Sequence, residues 1–153
     1  MTDHAPQTPA YPLPTGRQIS TAAHDAVASH QAAVYRLARV MAVVTAAAVR
    51  DILTNCDHTA PFDAAYAELV QDRTGGLWAS GKYWTTAGEE RTFSSTPGVE
   101  RPEDGLYEMN EWVPYLDGSN HSIWRPLVED LADQGPYKAY RFDLAKAAAL
   151  SID

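Results

Sequence analysis

The fold turns on residues 16–55, GRQISTAAHDAVASHQAAVYRLARVMAVVTAAAVRDILTN, a long stretch without proline. Apolar or near-apolar residues recur at Val27, His30, Val34, Leu37, Met41, Val44, Ala48 and Ile52. Steps of three and four put such residues on one face of an α-helix. The spacing predicts a single long helix with Leu37, Met41 and Val44 in the core. Thr15 offers an N-cap and Gln18 sits three residues on, the T-x-x-Q of a capping box, with Ser20 as a rival cap. Thr54, Asn55, Asp57 and His58 end the helix, and Pro61 forbids its resumption.

The middle of this helix, Val40 to Val49, is apolar nearly all round and is fenced by Arg39 and Arg50. A bilayer span needs about twenty apolar residues, so the run predicts a helix buried on more than one side and no membrane. The three-four spacing also suits a coiled-coil seam, which leaves a homodimer through the long helix as the alternative.

On the N-terminal side, residues 1–14 carry Pro6, Pro9, Pro12 and Pro14 and few apolar groups. Such a segment cannot offset its ordering entropy by burial and is expected to be a disordered tail, with residues 15–153 as one domain. No basic segment followed by an apolar run opens the chain, so no signal peptide is expected.

On the C-terminal side the period changes. Tyr66, Glu68 and Val70 alternate with Ala65, Ala67 and Leu69, and Asp72-Arg73-Thr74-Gly75-Gly76 is a turn sequence. Leu77 to Thr86 follows, rich in Trp, Tyr and Thr, and the two runs predict a β-hairpin. After Ala87-Gly88-Glu89-Glu90, a third strand is expected over residues 91–95. Pro102-Glu103-Asp104 opens a helix, acids at its positive end, and Pro114 ends or bends it. A second helical piece is expected over residues 127–133, begun by Pro126. Tyr137 to Phe142 alternates as a strand, and Asp143 caps a last helix over residues 144–150. Together these predict an α+β fold: the long helix on a small antiparallel sheet of about three strands, with short C-terminal helices.

The chain has 153 residues, 45% of them apolar, which suits one domain. Its net charge of -8 argues against a nucleic-acid or anionic-membrane binder. The acids concentrate over residues 89–134, where only Arg91, Arg101 and Arg125 oppose them. One cysteine, Cys56, excludes an internal disulfide and favours a reducing, cytoplasmic setting.

No residue set predicts catalysis, a metal or a cofactor. Cys56, Asp57 and His58 are adjacent, which is poor spacing for one ion, and no C-x-x-C accompanies them. Ser119, Asn120, His121 and Ser122 are turn formers without G-x-S-x-G, and Gly75-Gly76 lacks the Lys and Ser or Thr of a phosphate loop. Glu108 and Glu111 stand three apart beside Trp112, a pattern shared with sites that bind sugars or do acid–base work. A small hydrolase or carbohydrate-processing enzyme using Glu108, Glu111 and His121 is therefore the alternative. The favoured expectation is a non-catalytic module, an adaptor, inhibitor or immunity-type partner, that meets a basic protein. Its expected surface comprises Trp78, Trp84, Glu103, Asp104, Glu108, Glu111 and Trp112. Alternation puts Trp78 and Trp84 on one sheet face and Tyr83 on the other, so one set of aromatics needs its own cover or stays open.

Overall fold

The computed structural model describes residues 10–133 and 135–153. The chain divides into two compact units, Met1–Ala33 and Val34–Asp153, with the boundary inside one helix, α1 (Gly16–Thr54). Residues 1–9, most of the expected disordered tail, lie outside the described residues. Residues 10–14 belong to no helix or strand and are exposed.

In the first unit every described residue is exposed. The expected capping box is present: Thr15 N–H donates to Gln18 Oε1 (2.8 Å) and Gln18 N–H donates to Thr15 Oγ1 (3.2 Å). Two orphan donors of the first turn are thereby satisfied.

In the second unit, the rest of α1 contributes Ala38, Met41, Ala42, Thr45, Val49 and Ile52 as buried residues. The predicted face is thus corrected by about one residue. Positions 38, 42, 45 and 49 face the core, whereas Leu37 is 39% exposed and Val44 and Ala48 are half-buried. Met41 and Ile52 belong to both faces. The cause lies in the Val40–Val49 run: with apolar groups all round, the hydrophobic pattern points in no single direction, and tertiary packing chooses the side.

The same helix contains an 18-residue window of mean hydropathy 1.6 with at most two charged residues, of which 28% is buried. By length and composition alone it could cross a membrane, a test that the core helix of a soluble protein also passes. The apolar residues between the buried ones, Val40, Val43, Val44, Ala46, Ala47 and Ala48, are half-buried.

Five strands, not about three, make one antiparallel sheet: β1 (Tyr66–Gln71), β2 (Leu77–Trp84), β3 (Glu90–Thr92), β4 (Val128–Asp130) and β5 (Lys138–Asp143), in the order β3-β2-β1-β5-β4. The expected hairpin forms round the 72–76 turn, where Asp72 Oδ1 accepts from Thr74 N–H (2.9 Å) and its hydroxyl (2.6 Å). Those bonds hold the Asp72 carboxyl below its usual pKa, the Thr74 hydroxyl contributing most. The third strand is shorter than expected, because Thr92 caps a 3-10 turn, Phe93–Ser95. The helix expected over residues 127–133 is a strand instead. Pro126 lies in a 3-10 turn, Arg125–Leu127, and Val128 then pairs with Phe142 and Asp130 with Tyr140. The open edge of β5 is thereby paired, and pairing outweighs local helical spacing.

Strand β2 alternates as predicted. Leu77, Ala79, Gly81 and Tyr83 are buried, while Trp78, Ser80, Lys82 and Trp84 are half-buried on the other face. Tyr83 stacks on Phe93 (5.3 Å between centroids), and fully buried Trp124 meets Tyr140 edge-on (5.5 Å). Helix α3 (His121–Trp124) delivers that tryptophan, whose Nε1–H donates to Asp117 C=O (2.9 Å). The short helix α4 (Leu144–Ala148) is capped as expected, Asp143 Oδ1 accepting from Lys146 N–H (3.0 Å). Helix α2 (Pro102–Met109) completes the unit.

Candidate functional site

The placement of α2 begins at the end of α1. Asn55 and Cys56 adopt left-handed φ of 52° and 64°, a conformation Asn tolerates better than most residues. Asn55 then clamps the approach to α2 with both ends of its amide: Nδ2 donates to Gly98 C=O (2.8 Å), and Oδ1 accepts from Glu100 N–H (3.0 Å). Pro102 starts the helix, with Glu103 and Asp104 in its first turn, where the positive end of the helix dipole favours them.

Two further attachments fix α2. Gly105 lies so close to α1 that a Cβ there would come within 2.6 Å of Ile52 Cγ1. Beyond its C-terminus, Asn110 bonds to strand β2: Ala79 N–H donates to Oδ1 (2.7 Å), and Nδ2 donates to Ala79 C=O (2.9 Å). Helix α2 thus lies between α1 and the edge of β2.

A groove of about 650 Å³ opens between α1 and α2. Val44, Ala47, Ala48, Ile52 and Met109 give it an apolar floor, and Asp51, Glu100, Asp104 and Glu108 an acidic rim. Arg101 is the one basic side chain in its lining. Asp51 is partnered by Arg50 (3.0 Å) and His58 (3.4 Å). The carboxylates of Glu100, Asp104 and Glu108 make no ion pair or hydrogen bond among the described residues. Two aromatics flank the rim, Tyr107 (74% exposed) and Trp112 (45% exposed), and Trp112 stacks on exposed Tyr115 (6.4 Å). The arrangement offers hydrogen-bond acceptors beside apolar area.

Of the predicted surface, the groove gathers Asp104, Glu108 and Trp112. Glu103 is exposed on α2 outside the lining. Glu111 falls beyond the end of α2 at Met109, so the expected Glu108–Glu111 pair does not share a regular helix face. Trp78 and Trp84 lie apart from the groove on the outer sheet face. There the Arg141 guanidinium sits over Tyr66 (4.3 Å) and near Trp84 (5.9 Å). Nearly buried Glu68 accepts from Ser80 Oγ (2.7 Å) and lies 3.7 Å from Lys82 Nζ. Residue-by-residue reading missed Asp51, Glu100 and Tyr107 as part of the site. Only Asp51 stands at helical spacing from the apolar strip Leu37–Val44–Ala48; Glu100 and Tyr107 reach the groove from the far side of the sequence.

The groups of the enzymatic alternative do not converge. Glu108 lines the groove, whereas His121 lines a separate hollow of about 290 Å³ with Arg125, Asp130, Lys138 and Tyr140. Ser119 is occupied in a turn, its hydroxyl donating to Asp117 Oδ1 (2.6 Å). Asp57 accepts from the Thr59 hydroxyl (2.8 Å) and N–H (3.1 Å), which holds its carboxyl below the usual range, while neighbouring His58 faces Asp51 instead. Among the described residues no three His, Cys, Asp or Glu are grouped to hold a metal ion.

The chain matches no protein-family model, no curated protein and no solved structure.

The close approach at Gly105 can be tested. Gly105→Ala is expected to destabilise the protein by about 1–3 kcal/mol, because Ile52 cannot retreat from a packed core without cost. In a double-mutant cycle with Ile52→Ala, chemical denaturation should give a combined loss smaller than the sum of the single losses. Strict additivity would show that α2 does not rest on Ile52.

Proposed function

We propose that this protein is a non-catalytic interaction module, of the adaptor, inhibitor or immunity type, that binds a basic protein through the groove between α1 and α2. One observation carries the reading: three rim carboxylates, Glu100, Asp104 and Glu108, stand without a cation of their own among the described residues, beside a floor where Val44, Ala47 and Ala48 are only half-buried. Unpaired acids beside apolar surface complement a partner with Lys or Arg around an apolar centre. Charge complementarity of this kind speeds encounter and selects the partner, while the apolar floor and aromatics supply contact area. The exposed, unpaired Cys56 suits a reducing compartment, and we place the module in the cytoplasm on that ground.

Affinity capture from lysate at low and high salt tests the reading, with Asp104→Lys/Glu108→Lys as the control bait. A basic protein should be retained at about 50 mM salt, released as screening shortens the reach of the rim charges, and never retained by the charge-reversed bait. Equal capture by both baits, or no partner at either salt, would count against the groove.

A further inference from the structure

We infer that the groove receives a basic amphipathic α-helix, an inference that rests on the interaction-module reading. Its shape is set by two helices. Along α1, Leu37, Val40, Val44 and Ala47 succeed one another at steps of three and four, so an apolar strip runs into the groove. From Leu37 to Ala47 that strip is about 15 Å long at 1.5 Å per residue, which matches roughly three turns of a docked helix. Along that strip Leu37 is exposed, and Val40, Val44 and Ala47 are half-buried, so each keeps apolar surface for a partner. Ala47, Ala48 and Gly105 keep the floor low, so the backbone of an incoming helix can come close.

An extended peptide would gain less here. Helices flank the groove on both sides, so no strand edge lines it for such a peptide to join. The rim selects the charge. Glu100, Asp104 and Glu108 carry no ion pair among the described residues, Arg101 is the one base in the lining, and Tyr107 and Trp112 offer ring faces to Lys or Arg. A second copy, net charge -8, and an anionic bilayer both meet repulsion at the same rim.

The test uses the full chain and a labelled 20-residue peptide with Leu and Ala on one helical face and Lys and Arg on the other. A scrambled peptide of the same composition, without that face, is its control. Fluorescence polarisation should show the amphipathic peptide binding at least tenfold more tightly than the scrambled one, and weakening at least tenfold between 50 and 500 mM salt. The separate Ala47→Glu and Asp104→Lys variants, checked for folding by circular dichroism, should each weaken it at least tenfold. Asp133→Lys, in the separate hollow, should leave it unchanged. Equal, salt-sensitive binding of both peptides would overturn the helical inference and leave the acidic module standing. Binding of neither would overturn both. Binding indifferent to Ala47→Glu and Asp104→Lys would put the site elsewhere. Dimerisation abolished by Leu37→Asp, or flotation with phosphatidylcholine vesicles, would give the strip to a second copy or a bilayer and overturn the inference.

Discussion

Replacing Asn110 by Leu is expected to lower the unfolding free energy by about 2–4 kcal/mol, with little change in shape. The side chain is half-buried and acts as a piece of strand, presenting an acceptor to Ala79 N–H and a donor to Ala79 C=O. Strand β3 pairs with β2 only from Lys82 onward, so this stretch of the β2 edge has no strand partner there. Ala79 is almost wholly buried, and leaving its two polar groups unsatisfied costs about 1–3 kcal/mol each, less whatever water recovers. Asn110→Asp should also destabilise, because it keeps the acceptor and turns the donor into a second acceptor facing a carbonyl. Urea denaturation checks both. A Leu variant within about 0.5 kcal/mol of the parent would show that water replaces the amide.

The second large effect separates two neighbouring positions of α1. Ala42→Asp should cost about 3–5 kcal/mol and abolish folding in a marginal protein, since Ala42 has no exposure and, among the described residues, no buried cation meets the charge. Leu37→Asp should cost about 1 kcal/mol or less, the range of surface substitutions. Thermal melts of the two variants decide which face of the helix packs. Equal losses would mean that the strip containing Leu37 is enclosed as well.

That contrast marks where the sequence was legible. Local grammar worked where one residue type has one job: the Thr15–Gln18 box, the 72–76 turn and the Asp143 cap all formed as read. Strand alternation correctly divided Tyr83 from Trp78 and Trp84. The face of α1 was misplaced because Ala and Val surround its middle on every side, leaving packing to choose. Strand β4 was missed because Val128 and Leu131 stand at helical spacing, while its pairing depends on residues ten and more positions later. The acids of the site were visible as a charge excess. Their convergence was not, because it depends on Gly105 meeting Ile52 and on the Asn55 and Asn110 amides reaching distant backbone. Single positions in a sequence carry no sign of such long-range fits.

The strand order has a consequence for how the chain is made. The centre strand is β1, and it is joined to β5 from Tyr66↔Asp143 to Gln71↔Lys138. A ribosome delivers β1, β2 and β3 early, so the first hairpin can close while the C-terminal part is still being synthesised. Through that interval one side of β1 offers unpaired N–H and C=O groups along Tyr66–Gln71, the kind of edge on which other chains add strands. Glu68 sets a carboxylate within that edge, and a charge there opposes the stacking of like chains. The β1–β5 pairing joins the strands farthest apart in the chain, so the sheet closes only after β5 has been made.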